Sequence, residues 1–381
     1  MKLKACMTAA VAAALSTALA SSGALADITI GVSIAYTGPQ ASLGVHYKNA
    51  FDLMPKTIAG EPVRFIILDN AGDATNAAKN GRKLVSEDKV DVILGSNGVP
   101  QTLALAQIAA ETRTPMLSLS PVSVPADQIH WVFIVPQPTE LMMDAVAKDL
   151  KKHNIRTVAY IGFSDGWGDL VLKATESHAA SAGYKIVASE RYGRTDTSVT
   201  GQALKILASN PDAVVVGGSG TAGALPQIAL RERGYKGPIY HNHGTVNAEF
   251  IKVGGKNVEG AIAPTGPVVV ADALPAGYAT KALGEDFMKR YEAKFNLGKN
   301  AFAAYSYDAV LLVDAAAQVA VKKAKPGTPE FRAALRDALE NVKNVVGTHA
   351  VYTMTPANHN GMDERARVLV EVKDGQWRLM K

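Results

Sequence analysis

Val90 to Val122 reads VDVILGSNGVPQTLALAQIAAETRTPMLSLSPV, and its pattern decides the fold class. Val90 to Leu94 is a mostly apolar run that breaks into the small, polar Gly95-Ser96-Asn97-Gly98. Pro100 is placed to open a helix, which Gln101 to Thr112 carries with Leu103, Ile108 and Ala109 on it. Pro115 to Leu119 is a second apolar run. Strand, loop, helix, strand is a right-handed βαβ crossover in a parallel sheet. The loop after the first strand leaves backbone N–H groups free at a helix N-terminus, where they and the helix dipole suit an anion or acceptor oxygens. Ser96, Asn97, Ser118 and Ser120 fall at strand C-terminal ends, where open α/β sheets bind ligands. Ordinary turn chemistry accounts for such residues equally well in one loop alone.

Outward from this unit the alternation continues on both sides. Asp27 to Tyr36 and Val63 to Leu68 read as strands, with helices over Val45 to Met54 and Asn76 to Glu87. Trp131 to Val135 reads as a further strand, and Pro136-Gln137-Pro138 is a strong break. The pattern then restarts. Thr157 to Ile161, Tyr184 to Ser189, Ala213 to Val216 and Ile239 to His241 are strands between helices, with glycine-rich loops at Gly162 to Gly168 and Gly217 to Gly220. Ala263 to Pro275 is a second break, followed by three helices and two short strand candidates, Ala350 to Met354 and Arg367 to Val372. Strands alternating with helices indicate α/β layers with parallel sheets, here two doubly wound lobes.

Residues 1–26 read as a cleaved signal peptide: basic Lys2 and Lys4, an apolar Met7 to Ala20, and an Ala24-Leu25-Ala26 cleavage site. The apolar stretch is too short for a good membrane anchor, so a soluble, exported chain with no direct membrane insertion is expected. The single cysteine, Cys6, lies inside that segment, and Asp27 stands where a lipoprotein needs cysteine. The mature chain therefore has no thiol nucleophile, disulfide or thiolate metal site. It keeps 38 of the 40 basic residues against 35 acidic ones. The charges are interspersed, which argues against nucleic acid as a partner. Roughly 355 residues exceed one core and fit two lobes.

These features together resemble the leucine/isoleucine/valine-binding family of type I periplasmic solute-binding proteins that feed ABC importers. The residues carrying the resemblance are ITIGVSIAYTGPQASLG, Leu68-Asp69-Asn70, GSNGVPQTLALAQIAAE, GFSDGWGD, PDAVVVGG and Tyr305-Ser306-Tyr307-Asp308, in that order. The resemblance implies two lobes joined by a three-segment hinge, with crossings near Pro138, near Pro267 to Asp272 and near Thr348. The first lobe would be 27–138 with 272–348, and the second 139–271 with 349–381. It also implies a monomer that closes on a small solute and docks on a membrane permease in the periplasm, with no enzymatic activity, cofactor or metal.

Carried over by position, the first lobe would hold a carboxylate through Asn97, Gly98 and Val99 and through Ser118, Ser120, Pro121 and Val122. Trp167 stands where the family puts an aromatic wall, Ser219 and His243 lie at the ends of the next strands, and Tyr307 is a further candidate. Amino-acid binders of the family carry an acidic residue near the His243 position, whereas this chain has His241-Asn242-His243-Gly244. Leu43 and Ser219 replace aromatic residues of leucine-type members. An ammonium without a partner in a closed cleft is costly. A carboxylate with an aromatic or 2-oxo body is thus preferred, with a branched-chain amino acid as the alternative.

Other readings compete. Gly218 to Gly223 matches G-x-G-x-x-G after a strand, the mark of an NAD-type enzyme, but no acidic residue ends the next strand. Gly217 to Thr221 misses the last glycine of a serine hydrolase elbow. His241 and His243, two apart on a strand, would share a face and could hint at a metal, without a third ligand at motif spacing. A ligand-sensing receptor subunit remains open beside transport.

Overall fold

The computed structural model describes residues 27–380; the signal peptide expected over residues 1–26, with Cys6, lies outside the described residues. The chain forms two α/β lobes, each built on one sheet. In the first, β1 (Ile28–Ile34) lies between β3 (Glu61–Asp69) and β4 (Val92–Gly95), followed outward by β5 (Met116–Ser118) and β6 (Val132–Ile134), all parallel. A two-residue strand, β2 (Thr57–Ile58), adds antiparallel to the edge. In the second, β7 (Thr157–Phe163) lies between β8 (Lys185–Tyr192) and β9 (Ala213–Gly217), followed by β10 (Ile239–His241) and β11 (Ala261–Thr265). The parallel order is the same in both lobes, so one architecture is used twice without a visible sequence repeat.

The alternation of β4 explains why this stretch was decisive. Val92 and Leu94 join β1 and the C-terminal helices in one core, while Ile93 packs on the opposite face with Leu84, Leu105 and Met116. Residues two apart share a face, so an all-apolar strand is buried on both sides. The helix Phe302–Ala320 has 13 of its 19 residues buried, which makes it a core element rather than an amphipathic cover.

Three differences from the sequence reading lie in the C-terminal part of the chain. Ala261–Thr265 is a strand where a break was expected. Its Pro264 lies beyond the pairing with β10, which stops at Ile262, and pairs antiparallel with Leu369 on β14 (Val368–Lys373). Proline is tolerated there because no ladder N–H is needed. β15 (Gln376–Leu379) closes a hairpin with β14 that the sequence reading missed. The third crossing also comes later than Thr348. Asp308 accepts from Thr348 N (2.7 Å), Thr348 Oγ1 (2.8 Å), His349 N (3.0 Å) and Tyr352 Oη (2.9 Å), holding that segment on the first lobe. Asn360 Nδ2 then donates to Ile134 O and Pro136 O, and the chain joins the second sheet only at Val368.

The three crossings meet at Gln137. Its Nε2 donates to Ala366 O at 2.8 Å and lies 3.3 Å from His349 Nδ1, while its Oε1 accepts from Tyr305 Oη at 2.7 Å. Gly266, on the second crossing, lies against the His349 ring and the Gln137 amide, where a Cβ would overlap both. Gly266→Ala should therefore cost about 1–3 kcal/mol through overpacking, read as a lower urea midpoint. An unchanged midpoint would show that the crossings have room to part.

Candidate functional site

The loops at the C-terminal ends of β1, β4, β5, β7, β8, β9 and β10 converge on one interlobe cavity, at the place where open α/β sheets bind ligands. The lobes touch around it. Val99, at the start of helix Val99–Thr112, packs into the second lobe's core beside Gly166. Gly220 lies against Ser42 and Leu43, and His46 Nε2 is 3.2 Å from Glu249 Oε2 across the cleft. This is a closed arrangement.

Of the residues the sequence reading put forward, Leu43, Asn97, Gly98, Val99, Ser120, Pro121, Trp167, Ser219 and His243 line this cavity. Several of their polar atoms are committed elsewhere. Asn97 Oδ1 accepts from Ala35 N at 2.8 Å and its Nδ2 donates to Ala35 O at 3.2 Å, so this amide fixes the β1 and β4 loops together. Ser118 does not line the cavity: its hydroxyl donates to Ser120 O and accepts from Ser120 N. Val122 lines a neighbouring groove with Ile134 and Leu170 instead.

Tyr307 is the clearest displacement. It stacks on Phe287 at 4.6 Å on the outer side of its helix, and Tyr305 and Phe302 line the cavity in its place. Residues three apart share a helix face and residues two apart do not, so Tyr305 rather than Tyr307 shares the face of Phe302. His241 and His243 also part. The strand ends at His241, which bonds Gln227 Oε1 at 2.7 Å inside the second lobe, and His243 opens a one-turn helix facing the cavity. The expected shared face required a strand that does not continue. Among the described residues no group of three His, Cys, Asp or Glu could hold a metal ion.

Trp167 belongs to the first turn of helix Gly166–Ala182, not to a loop. Asp165 caps that helix, accepting from Trp167 N and Gly168 N at 3.0 and 3.3 Å. The indole Nε1–H donates to Gly218 O at 3.3 Å, and the ring meets His243 edge-on with centroids 5.3 Å apart. Asn242 braces this wall from behind, donating to Val216 O and Gly218 O and accepting from Gly244 N. Tyr47 and Tyr305 give their hydroxyls to Leu119 O and Gln137 Oε1, so these hydroxyls are committed to the protein while both residues line the cavity.

The sequence reading missed Gln40, Tyr47, Arg194, Gly244, Phe302 and Tyr305, while Leu119 falls within its Ser118 to Val122 stretch. Arg194 matters most. It follows β8, so the rule that ligands sit beyond strand C-terminal ends could have found it. Its Nε donates to Asp165 Oδ2 at 2.6 Å and its Nη1 to Ser219 Oγ at 3.1 Å, with the guanidinium over the Phe163 ring. Among the described residues its Nη2 has no such bond, and Arg194 is the only charged residue lining the cavity. His243 is 2 % exposed, and both its ring nitrogens lack a hydrogen-bond partner among the described residues. Burial lowers its pKa to about 4, so at neutral pH it offers one donor and one acceptor.

Two doubly wound lobes closing over a small-molecule cavity define a two-lobed binding protein. A family model described as "Periplasmic binding protein" matches residues 27–376, and the chain belongs to that family. The chain is 25% identical over 343 residues to the Leu/Ile/Val-binding protein homolog 3 of Brucella melitensis, covering 86% of this chain and 88% of that one. It is 42% identical to an extracellular ligand-binding receptor from Rhodopseudomonas palustris HaA2, with a TM-score of 0.91 over 93% of this chain and all of that one. An ABC transporter solute binding protein from R. palustris, solved in complex with benzoate, shares the fold at a TM-score of 0.79 and 19% identity, over 93% and 95% of the two chains. The family is one of solute-binding proteins, not enzymes. No helix of the described residues is long and apolar enough to cross a membrane.

Burial lowers His241, His243 and His349 to about 3, about 4 and about 3. The unfolded chain takes up these protons near 6.5, so the stability tied to the neutral rings is full above about 6.5 and is lost as pH falls toward 4 and 3. Asp308, raised to about 6 by burial, acts in the opposite sense. The difference between parent and His243→Gln isolates one imidazole: the variant should lose less stability between pH 7.5 and 5.5. Equal losses would contradict a neutral, buried His243.

Proposed function

We propose that this protein is the solute-binding subunit of an ABC importer, monomeric in the periplasm once residues 1–26 are removed. Its solute is a small carboxylate without an amine, carrying an aromatic or 2-oxo body, which it hands to a membrane permease. The observation that carries this reading is the charge inventory of the cavity: one guanidinium and, among the described lining residues, no carboxylate. Arg194 Nη2 offers donors to a carboxylate, a charge-assisted bond stronger than a neutral one. The nearby Asp165 is engaged by Arg194 and by the helix it caps, which leaves a ligand ammonium without an acidic partner. Trp167, Tyr47, Phe302 and Tyr305 supply flat apolar walls for a ring. A neighbour of the same fold that holds benzoate is consistent with this chemistry.

The names of the curated relatives favour a second reading, a branched-chain amino acid, and one experiment separates the two. Titration calorimetry on residues 27–381 should show binding of benzoate or phenyl-2-oxoacetate and not of leucine. Arg194→Met should weaken the acid by about 30-fold or more, as expected for truncating one partner of a buried charge pair. Unchanged affinity removes Arg194 from the site. Tight leucine binding with no response to any acid overturns the ligand class.

A further inference from the structure

Arg194 reaches the cavity on a long, flexible side chain, and a ligand that had to fix such a group itself would lose affinity to its rotamer freedom. The fold fixes it beforehand. The turn that carries it after β8 is closed by Asp196, whose Oδ2 accepts from Gly193 N at 2.8 Å. The guanidinium then lies over the Phe163 ring at 4.3 Å, with Nη1 donating to Ser219 Oγ and Nε to Asp165 Oδ2. Arg191, on the preceding strand, is paired with Asp169 at 2.8 Å and leaves Asp165 to Arg194. Asp165 divides its two oxygens. Oδ1 takes the Trp167 and Gly168 N–H groups at the start of helix Gly166–Ala182, and Oδ2 takes the guanidinium. Trp167 and Arg194 both line the cavity, and one carboxylate therefore ties together an aromatic wall and the cation. A helix cap needs only one oxygen, which serine or threonine also supplies. The second oxygen has no duty in the helix.

We propose that Asp165 is a positioning residue for ligand capture: through Oδ2 it holds the Arg194 guanidinium in the orientation that receives a ligand carboxylate beside the Trp167 wall. This rests on the carboxylate reading above. The Asp165 charge also acts in the opposite sense, because it offsets part of the attraction between Arg194 and an anion. The Arg194 and Asp165 side chains are 18 and 24 % exposed, so solvent screens that offset. Orientation is not screened, and the hydrogen bond decides the sign.

Titration calorimetry on residues 27–381 tests this as a double-mutant cycle, with whichever of benzoate and phenyl-2-oxoacetate the parent binds. Asp165→Ser keeps an oxygen for the helix N–H groups and has none for Arg194. It should weaken the acid about tenfold or more, the loss expected for a hydrogen bond to a charged group. Introduced beside Arg194→Met, the same substitution should change affinity by less than about twofold, because it acts only through the guanidinium. A loss of similar size in both backgrounds would show that Asp165 serves the Trp167 helix alone, and overturns the proposal. Unchanged or tighter binding by Asp165→Ser, the sign of a mere counter-charge, overturns it as well. Asp165→Thr, which also caps a helix, repeats the cycle with a second side chain, so that a folding defect peculiar to serine does not decide the outcome. Failure of the carboxylate reading looks different: Arg194→Met keeps the parent's affinity, or the parent binds leucine and neither acid. Either result takes this inference with it.

Discussion

The structure depends on one buried amide. Gln137 sits where three chain crossings come together, bonding Ala366 on the third and lying against Gly266 on the second. Its remaining acceptor takes the hydroxyl of Tyr305, a wall of the cavity. His349 completes the cluster, stacked on Tyr305 at 4.1 Å with its Nε2 directed at Ala301 O. Buried polar groups of this kind hold only when every member is satisfied. The Gln137, Tyr305 and His349 side chains are thus bonded to one another or to backbone, and a ring that lines the cavity is tied directly to the chain crossings. That is the element a binding protein needs for hinge closure on a solute.

Closure also explains the division of labour among polar groups. Most of the polar side chains around the cleft are spent on the protein itself: Asn97 on β1, Asn242 on the β9 loop, and the Tyr47 hydroxyl on Leu119 O. Left without a protein partner among the lining side chains are a guanidinium edge and one neutral imidazole. In a site emptied of water each of these is expensive to leave unmet, so the few residual groups carry discrimination while the rings carry contact area. The cross-cleft pair His46 and Glu249 adds little by comparison, because Glu249 is part exposed and such pairs are worth at most about 1 kcal/mol.

Much of this was legible in the sequence, and for a stateable reason. The β4 unit announces itself because an apolar strand, a small-residue loop and a proline-opened helix are local signals. Trp167 and His243 were placed through a resemblance anchored on such local runs. The misses are long-range or depend on phase. Arg194 reaches the cavity only because β8 runs beside β7, which no local window contains. Tyr305 and Tyr307 differ by a helical phase that an apolar sequence on all sides does not fix. Pro264 disguised a strand because proline argues against a sheet interior, and only the pairing register shows that its missing N–H is not called upon.

The central claim is that the lobes close on an amine-free carboxylate held by Arg194. Small-angle X-ray scattering of residues 27–381, free and with saturating aromatic acid or leucine, tests it most directly. The account predicts that the radius of gyration contracts with the acid and stays at the free value with leucine. Contraction with leucine and none with any acid would contradict it.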